Sequence, residues 1–261
     1  MHWQRRQRII RPMSTPDDMS TIPAFPETAD IESSSDDYAQ RFAGPSGQWM
    51  LAVQEQGARR LLTHFGGARS ILDVGGGHGQ IALPLGHDGH RVTVLGSAPE
   101  CARRLQSGLV DGTCVFVVGN MLDLPFPDQS FDVVVSFRIL THCRAWQQLI
   151  KECCRVARQG VVMDYPTSES VNRVAPWLFA TKKKYEQNTR AWHSFQHAEV
   201  RDTFALQGFR LSTQYKQFFF PMVLHRLLKC RPLSAGMEAT ARRLGLTRRL
   251  GSPVIAAFER I

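Results

Sequence analysis

The hydrophobic positions of the chain change their period several times, and the changes predict alternating helices and strands. Between Tyr38 and Phe65, apolar residues recur at helical spacing. From residue 70 onward, short apolar runs alternate with amphipathic segments, and the least interrupted runs are typical of strands buried on both faces. The predicted strands are 70–74, 91–95, 114–118, 131–136, 160–164, 209–220 and 252–260, with helices at about 98–109 and 146–156.

This alternation predicts the fold class. Strands that follow helices in this way require crossovers and a parallel sheet covered on both faces, so we predict one α/β doubly wound domain over residues 36–261. Two segments depart from the alternation, and we interpret 167–195 and 221–250 as helical lid insertions over a substrate. Residues 1–35 are polar and rich in turn formers, which predicts a disordered leader.

Composition and charge limit the classes of function that this protein can have. No apolar run approaches the ~18 residues of a membrane-spanning helix, and six cysteines without metal-ligand spacing favour reduced thiols, a cytoplasmic location and no metal. The net charge of +9 lies at the ends of the chain, since residues 1–11 carry four arginines and no acid, and residues 221–261 carry eight Lys or Arg against two Glu. A nearly neutral middle disfavours a nucleic-acid groove, while the basic C-terminal segment allows a peripheral membrane contact.

A glycine-rich turn follows the first predicted strand. Asp73-x-Gly75-x-Gly77-x-Gly79 runs into a helix, so its glycines let a ligand approach the backbone next to free amides at the helix N-terminus. The dinucleotide fingerprint G-x-G-x-x-G is not met, because Gln80 stands at its last position.

The turn resembles motif I of the class I S-adenosylmethionine-dependent methyltransferases. Residues 119–132 are similar to that family's G-D-A-x-x-L-P-F-P-D-x-S-F-D stretch, and Glu152 with Arg155 and Val156 ahead of Gly160 is similar to its next block. The resemblance is to the small-molecule, quinone and lipid methyltransferases that carry a methyltransferase type 11 domain. It implies a Rossmann-like seven-stranded sheet with an antiparallel last strand, and S-adenosyl-L-methionine as the cofactor.

The same resemblance implies a cofactor site. The glycines would lie under the methionine and ribose portions, Asp73 would hold the turn or the amino group, and Asn120 with Met121 would meet the adenine. The family's ribose-holding acid at the end of the second strand is replaced by Gly96, which leaves Ser97 or water to serve the ribose and leads us to expect tighter binding in Gly96→Asp. The full set assigned to the cofactor is Asp73, Gly75, Gly76, Gly77, Gly79, Gly96, Ser97, Asn120, Met121 and Ser136.

Methyl transfer has no single catalytic signature, because the enzyme mainly aligns an acceptor with the methyl group. Ligands of open α/β sheets lie beyond the carboxyl ends of the strands, which selects His142, Asp164 and Tyr165 as candidate catalytic residues. His142 is the best general base by its ordinary pKa. Arg190 and His193, in the first insertion, are further candidates.

Three functions remain open. The first is O- or C-methylation of a small-molecule or lipid-like acceptor. The second is a catalytically silent binding protein with the methyltransferase fold, which the glycine at position 96 suggests. The third is an RNA-directed methyltransferase, suggested by the basic ends of the chain.

Overall fold

The computed structural model describes residues 25–67, 70–171 and 192–261. The strands are β1 Ser70–Val74, β2 Arg91–Gly96, β3 Cys114–Val118, β4 Phe131–Ser136, β5 Ala157–Tyr165, β6 Phe209–Phe218 and β7 Ser252–Arg260. The α-helices are α1 Ala29–Ser33, α2 Asp36–Gln40, α3 Gly44–Leu62, α4 Ala82–His87, α5 Gln106–Val110, α6 Trp146–Val156, α7 His197–Ala205, α8 Met222–Leu228, α9 Arg231–Arg243 and α10 Leu246–Leu250. Three 3-10 turns lie at Thr63–Phe65, Pro99–Leu105 and Leu140–His142.

The seven strands form a single sheet in the order β3-β2-β1-β4-β5-β7-β6. The pairs among β1 to β5 are parallel, and β7 runs antiparallel to both β5 and β6. The strand order reverses between β1 and β4, and in open α/β sheets this is the place where ligands bind. The predicted α/β doubly wound sheet with an antiparallel last strand is confirmed.

Each face of the sheet is covered by its own apolar cluster. One cluster joins α6 and α7 to the sheet, and within it the rings of Phe204 and Phe258 stack 3.7 Å apart. The other cluster packs α3 and α4 against the opposite face and includes Leu61, Leu85 and Val94. The two faces are therefore closed by helices, and the carboxyl edge of the parallel strands is where a ligand can meet the backbone.

The prediction of a disordered leader over 1–35 is wrong for its last part. Residues 29–33 form α1, and Asp30, Ser33 and Ser34 are buried. The polar composition hid this segment, because α1 is held by hydrogen bonds of polar side chains and not by apolar packing. Residues 1–24 lie outside the described residues.

The second predicted insertion, 221–250, contains α8, α9 and α10 between β6 and β7. Its buried Glu238 accepts hydrogen bonds from the backbone N–H groups of Phe219 and Phe220, which ties α9 to the end of β6. The first predicted insertion, 167–195, lies largely outside the described residues, which resume at Trp192.

Candidate functional site

The glycine turn lies at the carboxyl end of β1, in the middle of the sheet. Gly75 and Gly79 both have φ +76°, a left-handed conformation in which an L side chain is strained. The Gly75 N–H donates to the carbonyl of Leu95 at 2.8 Å, so the turn is anchored to β2. A Cβ on Gly76 would overlap the carboxylate of Asp73, which explains why this position also needs glycine.

Asp73 is the unusual charge of this site. Its side chain is buried, and its Oδ1 atom has no hydrogen-bond partner among the described residues. Burial raises the pKa of this carboxyl to about 7, against a smaller opposing effect of Arg138. A buried carboxylate oxygen without a donor is costly, so this atom is ready to receive a cationic or donor group of a ligand.

The carboxyl end of β2 is occupied by a residue that sequence reasoning missed. Asp30 of α1 accepts from the backbone N–H of Ser97 and from its Oγ, each at 2.5 Å. The thiol of Cys101 donates to the same carboxylate at 3.3 Å. Ser97, which was expected to serve the ribose, therefore directs both of its donors at a side chain of the same protein.

Gly96 has the extended backbone of β2 and no positive φ. Its ideal Cβ would lie 2.7 Å from Cζ of Phe116 and 2.8 Å from Cβ of Cys101. Both neighbours are buried, so they cannot move out into solvent. Aspartate here would have to displace buried core side chains, and the expected tightening of cofactor binding stays a prediction.

We expect Gly96→Asp to lower the free energy of unfolding by about 1–3 kcal/mol, the usual cost of overpacking a filled core. The measurement is guanidinium unfolding of the variant and the wild type. Gly236→Asp is the matched control, because a Cβ at Gly236 meets nothing within 4 Å. Equal stability of the two variants would contradict the packing argument.

Three more residues assigned to the cofactor are used by the fold itself. The Asn120 carboxamide oxygen accepts from the N–H of Leu122 at 2.9 Å and so shapes the loop after β3. Met121 is fully buried in the apolar cluster. Ser136 donates from Oγ to the carbonyl of Val74 at 3.0 Å, joining the ends of β4 and β1. These roles position the edge of the sheet, and their contact with a cofactor stays a prediction.

A charged and aromatic cluster covers the ends of β4 and β5. Arg138 has φ +63°, and its backbone N–H donates to Asp164 Oδ1 at 2.5 Å. Its guanidinium carbon lies 5.6 Å from the ring centres of both Tyr38 and Phe42. The Nε and Nη1 atoms of Arg138 are buried without a hydrogen-bond partner in the described part of the chain. This cation is therefore placed to bind an anionic group.

His78, in the glycine turn, belongs to the same cluster. Its ring meets those of Tyr38 and Phe42 edge-on, and neither ring nitrogen has a hydrogen-bond partner within the described ranges. Burial first, then the positive charges of Arg138 and Arg104, lower its pKa to about 3. The imidazole is neutral at physiological pH, so it extends the aromatic wall and adds no charge.

The three predicted catalytic residues do not converge. Asp164 faces α3, where its Oδ2 accepts from Gln54 at 2.9 Å, and burial raises its pKa to about 6. Tyr165 faces the other side of the sheet, where its hydroxyl lies 3.1 Å from Nδ1 of His197. Successive residues of a strand point to opposite faces, so these two side chains cannot serve one acceptor atom.

The third candidate, His142, lies partly exposed in the turn after β4, with its ring edge-on to Trp192 at 5.5 Å. His193 donates its backbone N–H to the carbonyl of Thr141 at 3.0 Å, which brings the end of the first insertion beside His142. Arg190 lies outside the described residues.

The site fits S-adenosylmethionine at its amino-acid end. The unpartnered Oδ1 of Asp73 suits an ammonium group, and it lies beside the glycine turn at the carboxyl end of β1. At the end of β2, where the resemblance places the ribose, Asp30 holds the donors of Ser97.

The strand order, with its reversal between β1 and β4, and the glycine turn at β1 define a Rossmann-like α/β domain. In such folds ligands bind at the carboxyl edge of the sheet. Residues 72–163 match the family model described as a methyltransferase domain. This match to a methyltransferase domain bears out the resemblance, the fold class and the cofactor expected from the sequence.

Curated relatives and solved structures agree with this assignment. The chain is 35% identical over 103 residues to a probable S-adenosylmethionine-dependent methyltransferase of Mycolicibacterium smegmatis, a match that covers 39% of this chain and 38% of the relative. It is 30% identical over 118 residues to the phthiotriol/phenolphthiotriol dimycocerosates methyltransferase of Mycobacterium tuberculosis, with 42% of each chain covered. The matches span less than half the length of these relatives.

Among solved structures, the magnesium protoporphyrin IX methyltransferase of Synechocystis PCC 6803 with bound S-adenosylhomocysteine has a TM-score of 0.59. The alignment covers 88% of this chain and 98% of that one at 12% sequence identity. At this identity the likeness shows the fold alone.

Proposed function

We propose that the protein transfers the methyl group of S-adenosylmethionine to an oxygen or carbon atom of a small-molecule or lipid-like acceptor. One observation carries the proposal. The buried Oδ1 of Asp73 has no hydrogen-bond partner in the described residues and lies beside the glycine turn at the carboxyl end of β1. This turn belongs to the segment that matches the methyltransferase domain.

Different residues of the chain would bind different groups of the cofactor. S-adenosylmethionine supplies a methyl group on a positively charged sulfur. Asp73 would hold its ammonium group, and Arg138 would bind its carboxylate through the unpartnered Nε and Nη1 atoms. Tyr38 and Phe42 lie against Arg138 and exclude water from this end of the site. Exclusion of water favours a reaction in which positive charge on sulfur disappears.

His142 is the general base that we propose for an acceptor that must lose a proton. Its ordinary pKa lies close to neutral, and it is the most accessible of the three candidates. The Tyr165 hydroxyl is hydrogen-bonded to His197, and burial raises its pKa. Asp164 accepts hydrogen bonds from Gln54 and from the backbone N–H of Arg138. We therefore assign Asp164 and Tyr165 to positioning.

The acceptor class is supported by two observations. One relative acts on phthiotriol and phenolphthiotriol dimycocerosates, and another is an ajmaline N-methyltransferase of Rauvolfia serpentina. The helices between β6 and β7 also expose apolar side chains next to cations. The exposed leucines are Leu227, Leu233, Leu244, Leu246 and Leu250, and the exposed cations include Lys229, Arg231, Arg243, Arg248 and Arg249.

We propose that this surface of α8, α9 and α10 makes a peripheral contact with an anionic membrane. Leu227 is 63% and Leu244 70% exposed, and Glu238, the sole acid between residues 221 and 250, is buried. Apolar side chains among unopposed cations are typical of interfacial helices. They favour a lipid over an RNA partner, because single-stranded RNA sites interleave cations with aromatic rings.

No helix in the described ranges is both long and apolar enough to cross a bilayer. A cytoplasmic location is part of the proposal and is supported by six cysteines that all remain free thiols.

We expect the protein to sediment with vesicles that contain phosphatidylglycerol and to stay in the supernatant with pure phosphatidylcholine. The double variant Arg248→Glu and Arg249→Glu should weaken binding to the anionic vesicles about tenfold or more, because each cation near such a surface contributes about 1 kcal/mol. The double variant Arg103→Glu and Arg158→Glu, on other parts of the molecule, is the charge-matched control. Equal loss in both would mean that net charge, and not this surface, attracts the vesicles.

The experiment for the proposed activity has two parts. Calorimetric titration with S-adenosylmethionine and S-adenosylhomocysteine measures cofactor binding. Transfer of a tritiated methyl group to a detergent-dispersed long-chain alkyl phenol, compared with an RNA mixture, measures the reaction. Label in the phenol supports the proposal, and label in the RNA favours the RNA-directed function.

The second candidate is a catalytically silent binding protein with this fold. The observation that favours it is the carboxylate of Asp30 on the donors of Ser97, at the end of β2. Absence of any heat of binding with both cofactor forms, for the wild type and for variants that loosen α1, would favour this candidate.

A further inference from the structure

The segment 27–34 crosses the carboxyl edge of the sheet from the end of β4 to the end of β2. It therefore passes the place between β1 and β4 where the strand order reverses. At one end, Oε1 of Glu27 accepts from the backbone N–H groups of Arg144 and Ala145, beyond β4, at 2.8 and 3.2 Å. At the other end, Asp30 is bonded to Ser97 beyond β2. The segment therefore passes directly over the glycine turn of β1, which lies between these two strands.

The contacts with the turn are close. An ideal Cβ on Gly75 would lie 3.5 Å from Cβ of Asp30, and one on Gly77 would overlap Oγ of Ser34. Asp30 itself is completely buried. Asp30 and Ser34 thus share the space beside these glycines with Ile139 and the carbonyl of Cys101, which lie equally close or closer.

The way in which α1 is held is costly for a purely structural contact. The three donors on the Asp30 carboxylate are the N–H and hydroxyl of Ser97 and the thiol of Cys101, and none of them is charged. A buried carboxylate without a cation gains less than it loses by leaving water, unless its hydrogen bonds are complete. Such a contact is reversible, because on release water can solvate the carboxylate of Asp30 and a ligand oxygen can accept from the donors of Ser97.

We propose that α1 is an internal competitor of S-adenosylmethionine, with Asp30 docked on the donors of Ser97 at the nucleoside end of the site. Binding of the cofactor displaces α1, and its apparent affinity is reduced by the fraction of molecules in which α1 is docked. This inference rests on the proposed cofactor. It adds a control of affinity by a segment that precedes the matched methyltransferase domain.

Two variants of the full chain test the competition by removing the contacts at the two ends of the segment 27–34. Asp30→Ala removes the contact with Ser97, and Glu27→Ala removes the distant anchor at Arg144 and Ala145. We expect each variant to bind S-adenosylhomocysteine about tenfold more tightly than the wild type, since loss of a hydrogen-bonded charge weakens docking by that factor or more. Asp37→Ala is the control, because Asp37 is an exposed acid of neighbouring α2. Hydrogen exchange of the amides of residues 29–34 should rise when S-adenosylhomocysteine is added to the wild type.

The outcomes separate this inference from the proposed function. Tighter binding in both variants, or binding in the variants alone, supports competition. Weaker binding in Asp30→Ala with no change in Glu27→Ala would mean that Asp30 holds the ligand, and would overturn it. Equal affinities in all four proteins, with unchanged exchange in 29–34, would overturn it while leaving the methyltransferase function intact. Absence of binding in all four would overturn the proposed cofactor and the competition together.

Discussion

Replacing Gly77 with valine is expected to weaken binding of S-adenosylhomocysteine at least about a hundredfold. A Cβ at this position would overlap the backbone carbonyl oxygen of Cys101 as well as Oγ of Ser34. Ser34 can move away with α1, but the carbonyl belongs to the turn after β2 and moves only with the backbone. The branched side chain therefore either distorts the glycine turn or fills the space that the ligand needs. Calorimetric titration measures the loss.

The control for this substitution is Gly236→Val on α9, where a Cβ meets nothing within 4 Å. We expect normal affinity and unchanged or slightly higher stability in the control, because valine is a better helix former than glycine. Thermal unfolding of both variants shows whether Gly77→Val still folds. Retention of normal affinity by folded Gly77→Val would place the ligand away from the glycine turn.

The central strands could be predicted well because they are buried on both faces. The limits of β3, β4 and β7 were predicted to the residue, and Phe131–Ser136 is a nearly uninterrupted apolar run whose neighbours have different patterns. Such runs depend on burial and not on weak intrinsic preferences, so the sequence alone reveals them. The glycine turn was found from its composition, and the left-handed backbone at Gly75 and Gly79 favours glycine there.

The nucleoside end of the site could not be predicted in the same way. Asp30 lies 67 residues before Ser97 in the chain, and no local pattern links the two. The one indication in the sequence was Gly96, because it stands where the resemblance expects a ribose-holding acidic residue at the end of β2. Ser35, whose Oγ accepts from the N–H of Tyr38 at 3.1 Å, is a start signal for α2 and agrees with a domain that begins at residue 36, but it gives no indication of α1. Long-range polar contacts leave no periodicity for sequence reasoning to detect.

The pH dependence of stability should depend strongly on Asp73. Its pKa is about 7 in the folded protein against an ordinary value of 3.8, because burial penalises its charged form. From about pH 4 to 7 the unfolded chain has released this proton while the folded protein keeps it. The free energy of unfolding therefore falls as pH rises through this window, by at most about 4 kcal/mol, and is constant with respect to this group above pH 7.

Asp73→Asn removes this titration, so the free energy of unfolding of the variant should fall less between pH 4 and 7. Asp164, whose pKa is raised to about 6, acts in the same direction, and it is present in both proteins. The difference between wild type and variant in urea unfolding at several pH values therefore isolates Asp73. An identical pH dependence of the two proteins would mean that Asp73 titrates normally.

Binding of the cofactor should show the opposite dependence on pH at the same residue. The ionised carboxylate of Asp73 pairs with the ammonium group of S-adenosylmethionine, so ligand affinity rises as pH increases through about 7. Asp73→Asn keeps the size of the side chain but cannot supply the charge, so its affinity should be about tenfold to a hundredfold weaker at pH 8 and nearly independent of pH. Asp164→Asn, which alters a second buried carboxyl bonded to Gln54, is the matched control and should retain the rise with pH. Titrations at pH 6, 7 and 8 decide the matter, because a rise that persists in Asp73→Asn would assign the ammonium group to another acid of the site.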